Sequence, residues 1–497
     1  MSNYTAILLA VLIGYILINF VVGIYISKKR VSLQEKGGFI SHYFIGNRSM
    51  GGIVLAMTLV ATFTSASSFI GGPGIAYTKG LVWVYLSMIQ VPTAFIILAI
   101  LGKKFGMISR KIGAVTVTDY LKERYQSKTV AILASICLVI FFIAQMMSQF
   151  IGGAVLFQEI TGLSYIYGLA LFGIVVILYT AFGGFRAVVI TDTIQGIIMV
   201  LGGFIMIFTI IHVAGGTDML LAKLNTANPH WSDIAGDGAT PKAFVMSFWV
   251  LVGIGVLGLP QTAVRAMGFK DTKALHKAMI YGSLVVGFLM LVMHISGVFA
   301  PAVITLPKGV TPDHVIPRLV LQHMHPVVAG LFIAAPLAAV MSTVSSLLLL
   351  ASAGIVKDIY HNYVMDATVK DTSSGEKKIS KLSIFTTLVV GIIVFVFTVY
   401  PPDLIVWINL FAMGGLECAF FCPIIFGLYW KKANATGAVI SMLCGVVGFL
   451  LLNQFKVSMF GTTAIVPGIL ISVLTFVVGS LVGKKTSDDT LKLFFDK

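Results

Sequence analysis

The chain has 497 residues, of which 58% are hydrophobic and only 11% are charged. Soluble domains are about 45–50% apolar and about 25% charged, so this composition excludes a water-soluble enzyme or binding module and indicates a membrane protein. The formal net charge is +15, but the basic residues lie between apolar runs, so we interpret the charge as membrane topology and expect no nucleic acid partner.

Thirteen apolar runs are long enough to cross a lipid bilayer, which takes about 20 mostly apolar residues per helix. We therefore predict an all-α polytopic membrane protein with a single membrane domain over residues 1–497. The predicted spans are Thr5–Ser27, Gly51–Tyr77, Leu81–Gly102, Val130–Leu156, Tyr165–Phe185, Ile190–Ala214, Ala243–Met267, Ala274–Ala300, Val327–Ile355, Leu382–Tyr400, Leu404–Trp430, Gly437–Phe455 and Thr463–Gly483. The first run is longer than a signal-peptide core, so we expect it to be retained as a helix.

Lysine and arginine are distributed unevenly among the segments between these spans. With the N-terminus outside, 28 of the 34 basic residues fall on the inner side, as the positive-inside rule requires. An odd number of spans then puts the C-terminus in the cytoplasm. We expect a multi-pass protein of the inner (plasma) membrane.

Two spans are interrupted by glycine and proline. The second contains T-S-A-S-S-F-I-G-G-P-G over Thr64–Gly74, and the seventh contains G-I-G-V-L-G-L-P-Q-T over Gly253–Thr262. Their spacing predicts two inverted five-helix repeats, an arrangement in which broken helices form a transporter's binding site. The repeats are predicted at 51–214 and 243–430, with additional C-terminal helices at 437–483. We predict that Gly71–Gly74 is unwound; the alternative is that these glycines only permit close helix packing.

The ninth span carries small and hydroxyl side chains on one helical face. Ala339, Ser342, Thr343 and Ser346 recur at i, i+3, i+4 and i+7. Hydroxyl and carbonyl oxygens suit a small alkali cation, but these hydroxyls could instead bond to carbonyls of the preceding turn. The pattern alone leaves both interpretations open.

Five stretches carry a family resemblance. They are S-M-G-G-I-V-L-A-M-T-L from Ser49, S-A-S-S-F-I-G-G-P-G from Ser65, L-Y-T-A-F-G-G-F-R-A from Leu178, F-W-V-L-V from Phe248 and N-L-F-A-M-G-G-L-E from Asn409. In these stretches the chain resembles the sodium:solute symporter family, and the resemblance covers nearly the whole chain. It implies a five-plus-five inverted-repeat (LeuT-like) fold and an outside N-terminus.

The resemblance also implies a function, which is inward symport of pantothenate or a related small organic anion with sodium by alternating access. Sodium would be the coupling ion, and no cofactor is expected. Matched by motif, the principal sodium site would consist of carbonyl and hydroxyl oxygens. Its ligands would be the carbonyls of Ala66, Phe69 and Ala339 and the hydroxyls of Ser342 and Thr343.

A second sodium is a further expectation from the same resemblance. Some family members use an acidic residue at the position of Asp192, and here Ser342, Ser345 and Ser346 could converge with it. The alternative is that Asp192 caps its helix or pairs with Arg186.

For the substrate carboxylate we find no Lys or Arg clearly placed in mid-span. We expect the half-helix N-terminus at Ile70–Gly74 to meet it with backbone N–H groups and the positive end of the helix dipole. The predicted substrate residues are Ser68, Ile70, Gly71, Gly72, Gln90, Gln149, Gln261 and Asn409. Each glutamine could equally form an interhelical hydrogen bond. His294 and Glu417 are ionisable and predicted to lie within the membrane, and we assign neither a role.

Other functions remain open at this stage. The chain could be a sodium symporter for another small carboxylate or an amino acid, or a transporter-like sensor. A membrane enzyme would need a paired acid and base or a metal cluster within the bundle, and the sequence offers none, so we expect no enzymatic activity.

Overall fold

All the regular structure of the chain, in the part that the structure describes, is helical. The structure is a computed structural model that describes residues 3–29, 48–233, 240–366, 372–459 and 461–496, without the side chains of 23, 24, 26–29, 183–187 and 373. In these ranges eleven helices are long and apolar enough to cross a membrane, and two bent helix pairs bring the number to thirteen. The predicted number of spans is therefore confirmed.

The spans agree with the apolar runs to within several residues. The eleven are Asn3–Val22, Leu81–Lys111, Lys128–Thr161, Tyr165–Phe182, Val188–Ala214, Thr272–Ala302, Pro326–Val364, Ser374–Thr398, Ile405–Tyr429, Ala435–Gln454 and Ile465–Val482. The bent pairs are Gly52–Phe63 with Ser67–Lys79, the second span, and Lys242–Gly258 with Pro260–Met267, the seventh. The repeat boundaries 51–214 and 243–430 and the C-terminal segment 437–483 stay predictions.

Among the described residues, four further α-helices lie outside both the predicted and the observed spans. They are Val117–Tyr125, Thr217–Ala227, Val315–His323 and Asp488–Phe495. A search for long apolar runs could not find them, because they are short and polar or amphipathic. Side-chain caps stabilise the first turns of two of them, Val117–Tyr125 and Asp488–Phe495. Thr116, for example, accepts a hydrogen bond from the Asp119 N–H in a capping box.

The fifth and sixth spans do not form one straight helix. Helical backbone runs from Tyr165 to Ala214, yet the Tyr179 and Thr191 hydroxyls are hydrogen-bonded to each other. Twelve residues of straight helix would separate these positions by about 18 Å. The helix must therefore bend between them, where the sequence predicts a break between the two spans.

The second span is broken at Thr64–Ala66. The helix Gly52–Phe63 ends there, and the next half begins at Ser67, at an angle of 69° to the first. Our prediction that Gly71–Gly74 is unwound is wrong, because helical backbone continues from a wide π turn at Ser67–Gly71 directly into Gly72–Lys79.

The glycines that follow this break serve close packing. Pro73 is the second residue of the helix Gly72–Lys79, directly after the π turn. A Cβ at Gly71 would lie 2.8 Å from Val406 Cγ2, and one at Gly72 would collide with the His294 ring. The packing alternative therefore holds for these residues.

The seventh span is broken where its motif predicted. A π turn at Val250–Ile254 and a 3-10 turn at Gly255–Gly258 lead to Leu259, which has extended backbone. Pro260 then opens the next helix, which is bent by 47° from the first half. The two bent helices are thus the first helices of the two predicted repeats.

The ninth and eleventh spans lie at the centre of the bundle. Of the 18 most apolar consecutive residues in each span, 83% are buried in the ninth span and 72% in the eleventh. Only 22% are buried in the first span. The first span therefore faces lipid, and the ninth and eleventh present their polar side chains to other helices.

Candidate functional site

A small cavity of about 50 Å³ lies between the broken second span and the third, seventh, eighth and eleventh spans. Small-molecule sites in proteins are typically about 300–1,000 Å³, so the surrounding helices would have to move apart before this cavity could hold an organic solute. Its polar lining is formed by Ser65, Ser67, Ser68, Ser87, Gln90, His294 and Asn409, and its apolar lining includes Trp83, Phe248, Met290 and Leu410. No Lys or Arg is among its lining residues in the described part of the chain.

The second half of the broken second span begins at this cavity. Ser65, Ser67 and Ser68 line it at the end of the helix Ser67–Lys79. The Ser67 hydroxyl oxygen is enclosed and has no hydrogen-bond partner among the described residues. A helix N-terminus carries a partial positive charge, so this end of the cavity favours an anion.

Half of the predicted substrate residues line the cavity. Ser68, Gly72, Gln90 and Asn409 do so, whereas Ile70, Gly71, Gln149 and Gln261 do not belong to its lining. The Gln149 side-chain oxygen instead accepts a hydrogen bond of 2.8 Å from the Ala66 N–H. Gln149 thus supports the break in the second span from the neighbouring fourth span.

Gln145 is a residue that the sequence analysis missed. Its side-chain oxygen accepts from Gln261 Nε2 at 3.2 Å, and its own Nε2 donates to Asn409 Oδ1 at 3.4 Å. A chain of buried amides therefore joins the fourth, seventh and eleventh spans and ends at the cavity. A glutamine within an apolar span, one turn from Gln149, was the signal that could have identified it.

His294 lines the cavity through one edge of its ring. Its Nδ1 lies 2.6 Å from the Met290 carbonyl oxygen, which leaves Nε2 on the side of Gly72 and the cavity. Glu417, in contrast, is fully buried away from this lining, and neither of its carboxyl oxygens has a partner among the described residues.

The ninth-span hydroxyls meet the break in the second span. Ser342 Oγ donates to the Ala61 and Ala339 carbonyls at 2.8 and 3.0 Å. Thr343 Oγ1 donates to the Thr64 and Ala339 carbonyls at 3.0 and 2.9 Å. Hydroxyl and carbonyl oxygens of both spans are therefore concentrated at one buried point, the arrangement that a small alkali cation requires.

Of the other predicted sodium ligands, Ala66 lies at the end of the same break and Phe69 lies in the π turn that follows it. Both are fully buried, and the Phe69 N–H is bonded to the Ser65 carbonyl at 3.3 Å. The structure thus brings Ala339, Ser342 and Thr343 to the break beside which Ala66 and Phe69 lie.

Asp192 lies in a buried ionic cluster with Arg265. Asp192 Oδ2 accepts from Thr58 Oγ1 at 2.7 Å and lies 3.5 Å from Arg265 Nη2. Arg265 Nη2 also donates to Ser346 Oγ at 2.6 Å, and Arg265 Nε donates to Thr58 Oγ1 at 3.1 Å. The anticipated alternative partner, Arg186, has a side chain outside the described residues.

The chain is similar to known transporters over almost its whole length. It is 45% identical to the sodium/pantothenate symporter of Escherichia coli over 97% of both chains. It is 44% identical to the sodium/pantothenate symporter of Haemophilus influenzae, with 92% of this chain and 93% of the relative covered. These relatives are named as transporters, which indicates transport rather than enzymatic catalysis.

Structural similarity agrees with this. A solved Na⁺-coupled sialic acid symporter in a substrate-bound outward-open state superposes with a TM-score of 0.81 at 20% identity, and the match covers 97% of this chain and 99% of the symporter. This similarity confirms the predicted LeuT-like fold. The sequence model of the family described as "Sodium:solute symporter family" matches residues 43–445 of this chain. The chain belongs to the sodium:solute symporter family.

Proposed function

We propose that the chain carries pantothenate into the cell together with sodium. The observation that carries this proposal is the 45% identity over 97% of both chains to a sodium/pantothenate symporter. Such similarity extends through both broken helices and the cavity between them. The membrane context is the bilayer that thirteen apolar spans require.

The principal sodium site is proposed at the meeting point of the second and ninth spans. Its ligands would be the carbonyls of Ala66, Phe69 and Ala339 with the hydroxyls of Ser342 and Thr343. The hydroxyl oxygens already lie within 3.0 Å of carbonyl oxygens at the break. A bound cation would contact the carbonyl oxygens at this point in place of the hydroxyl protons. Binding of the ion would hold the two spans together.

The carboxylate of pantothenate is proposed to lie at the start of the helix Ser67–Lys79 rather than at Ile70–Gly74. The cavity reaches Ser65, Ser67 and Ser68, and the free Ser67 hydroxyl supplies a donor in addition to the helix dipole. Pantothenate also has an amide and two hydroxyls. We expect Gln90, His294 and Asn409, which line the cavity, to bind them, and Trp83 and Phe248 to contact its gem-dimethyl group.

Transport would proceed by alternating access around this site, with one helix bundle rocking against the rest of the protein. We propose that the protein lies in the inner membrane of the cell. Its N-terminus would be outside and its C-terminus in the cytoplasm. The distribution of 34 basic residues supports that orientation. A C-terminal reporter that proved to lie outside would overturn it.

Labelled pantothenate uptake by purified protein in proteoliposomes tests the proposed function. Uptake is expected when sodium is imposed outside and should be absent when potassium replaces it. Unlabelled pantothenate, another small carboxylate and proline, each added in excess, identify the solute by competition. Binding of pantothenate without sodium-driven uptake would instead indicate a transporter-like sensor.

A further inference from the structure

A second cavity, of about 220 Å³, lies next to the cavity described above, and Trp83 lines both. We call the first the central cavity and the second the outer cavity, because the helix Ser67–Lys79 ends at the second and, in the proposed orientation, ends outside the cell. Lys79 and Pro241 line the outer cavity and are exposed, so it opens to the surface. Its volume is close to the lower end of the range of about 300–1,000 Å³ for small-molecule sites.

Aromatic side chains lie between the two cavities. The Trp83 ring packs edge-to-face against Phe248 at 5.2 Å and against Trp407 at 5.9 Å between ring centroids. Phe248 lines the central cavity and Trp407 lines the outer one. A solute in the outer cavity can therefore reach the central cavity only after these three rings, the aromatic cluster, have moved apart.

The indole N–H of Trp83 is an unused hydrogen-bond donor at this boundary. Trp83 is only 4% exposed, and its Nε1 is enclosed without a partner among the described residues. A buried N–H group without an acceptor is costly. An oxygen atom of a ligand at the boundary would supply the missing acceptor.

A turn at Gly80 places Lys79 on the same cavity as Trp83. Gly80 has a φ of +71°, and the next N–H, of Leu81, donates to the Trp231 carbonyl at 2.7 Å. A Cβ at Gly80 would lie 2.5 Å from that carbonyl oxygen, so the turn requires glycine. The lysine at the end of one helix and the tryptophan in the first turn of the next thus line one space.

The charge in this space favours an anion. Among the described residues that line the outer and central cavities, Lys79 is the one Lys or Arg, and neither Asp nor Glu occurs. The rest of the outer lining is mostly apolar or aromatic and includes Val82, Leu86 and Phe244. A carboxylate attached to an apolar body matches such a surface, because each part of it finds a suitable neighbour.

We propose that the outer cavity is a second binding site for the transported organic anion, which it holds until the aromatic cluster opens. The carboxylate lies against the Lys79 ammonium group, and another oxygen of the same anion accepts a hydrogen bond from the Trp83 indole N–H. The class of ligand is a small carboxylate with an apolar body and further oxygens. Its identity as pantothenate rests on the proposed function.

Equilibrium binding of labelled pantothenate to the purified full-length protein in saturating sodium tests the site. Two anions should bind per chain, one more weakly than the other. Lys79→Gln should weaken the weaker site about two- to fivefold, the range of an exposed ion pair, and Lys79→Glu should weaken it further. Trp83→Phe, which keeps a ring and removes the N–H, should also weaken it. One anion per wild-type chain, or a weaker site unchanged in both lysine variants, would overturn the proposal.

Lys308→Gln is the matched control. Lys308 is an exposed lysine in the loop between the eighth and ninth spans, on the same side of the membrane in the proposed orientation, and it lines neither cavity. Both sites should keep their affinities in this variant. If Lys308→Gln weakens the second site as much as Lys79→Gln, a general loss of positive charge explains the effect and the outer site is wrong.

Uptake into proteoliposomes provides a second readout. Lys79→Gln should raise the half-saturating pantothenate concentration by a similar factor, and the difference should shrink as ionic strength increases. Competition by the neutral analogue pantothenol should be the same in both proteins. A shift in uptake by a protein that binds one anion would mean that Lys79 only attracts anions to the surface, which contradicts a second site.

The two proposals fail separately. If the wild type binds two anions but shows no sodium-driven uptake, the transport function is wrong and the outer site stands. If it takes up pantothenate and binds one anion, the function stands and the outer site is wrong. If it neither binds nor takes up pantothenate, both proposals are wrong.

Discussion

Ser342 and Thr343 are hydroxyl residues whose surroundings distinguish a sodium ligand from a packing residue. Their hydroxyls reach across to carbonyls of the second span, at Ala61 and Thr64, as well as to Ala339 in their own helix. Many hydroxyls in a membrane helix bond to a carbonyl of the preceding turn. Contact with the end of a broken helix is what favours the ion-binding interpretation.

Ser342→Ala should raise the sodium concentration that gives half-maximal pantothenate uptake. Loss of an interaction with a charged partner costs about 1.5–3 kcal/mol, which corresponds to an increase of about ten- to a hundredfold. Uptake should recover at high sodium, because the helix itself is unchanged. Sodium and pantothenate must also raise each other's affinity, and the factor must be the same for both ligands.

Ser352→Ala is the matched control for this experiment. Ser352 is a fully buried serine of the same helix, and its hydroxyl donates to the Ser383 carbonyl of the tenth span at 3.1 Å. It lies nearly three turns from Ser342, so its loss should leave the sodium dependence unchanged. An equal shift for both serines would mean that any lost interhelical bond has this effect, and the proposed site would fail.

The carboxylate of the substrate is a second feature that can be tested at the scale of single groups. If the start of the helix Ser67–Lys79 binds this carboxylate, the alcohol analogue pantothenol should compete for uptake about ten- to a hundredfold more weakly than pantothenate. The loss is that of a charge-assisted hydrogen bond, about 1.5–3 kcal/mol. Equal competition by both compounds would show that this site does not recognise the charge.

Residue types and their spacing identified the hydroxyl face of the ninth span, but not the orientation of individual side chains. Gln90, Gln149 and Gln261 were equivalent candidates in the sequence, and only Gln90 lines the cavity. Which side of its helix a single polar residue occupies depends on helix rotation. That rotation is set by packing against neighbouring spans, and an apolar run does not encode it.

At the scale of helices, glycine and proline predicted that the second span is interrupted but not where. The break lies at Thr64–Ala66, where Gln149 accepts the Ala66 N–H and Thr343 donates to the Thr64 carbonyl. Groups from other spans therefore stabilise the open backbone. Gly71 and Gly72 lie after the break, and side chains of neighbouring spans approach them too closely for a larger residue. In the seventh span the motif and the break coincide because Pro260 cannot donate to the turn before it.

Glu417 and Gly255 form a close contact between the eleventh and seventh spans. A Cβ at Gly255 would collide with Glu417 Oε2, so Gly255→Ala should lower stability by about 1–3 kcal/mol. Much of that loss should disappear in a Glu417→Ala background, which gives a coupling of about 0.5–3 kcal/mol. Thermal unfolding of the four purified proteins in detergent measures it.

Gly253→Ala is the control for this pair. A Cβ there would lie 2.6 Å from Ile89 Cγ1 and has no contact with Glu417. Its cost in stability should therefore be the same with and without the Glu417 side chain. If Glu417→Ala relieves both glycine substitutions equally, its effect is a general loosening of the bundle and the specific contact is disproved.

At the scale of the whole molecule, composition and charge were enough to predict the number of spans, because a bilayer imposes helix length and apolarity directly. Contacts between distant segments were beyond that approach. The segment from Pro312 to His323 illustrates this. It has no long apolar run, yet Pro312 contacts Gly74 of the second span, and His314 and Arg318 bind Glu159 of the fourth at 2.6 and 3.0 Å.

Asp313 fastens this segment to a third helix. Its Oδ2 accepts a hydrogen bond of 3.3 Å from the Ile405 N–H in the first turn of the eleventh span. Burial raises the pKa of Asp313 to about 6, against the opposing effects of the Ile405 N–H and His314 and with a further increase from Asp403. The segment therefore connects the second, fourth and eleventh spans through a carboxyl group that titrates near neutrality.

The titration of Asp313 predicts how stability depends on pH. The unfolded chain releases this proton near pH 3.8 and the folded protein near pH 6, so between these values the folded state binds more protons. The stabilisation of the folded protein by this proton is complete below about pH 4 and is lost as pH rises through 6. It is on the order of 2 kcal/mol.

Asp313→Asn keeps an oxygen acceptor for the Ile405 N–H and cannot titrate. Thermal unfolding in detergent from pH 4 to 7 should therefore show the wild type losing stability relative to Asp313→Asn as pH rises. His314, Asp403 and Glu159 are present in both proteins and cancel in the difference, so parallel profiles would show that Asp313 is already ionised in the folded protein across this range.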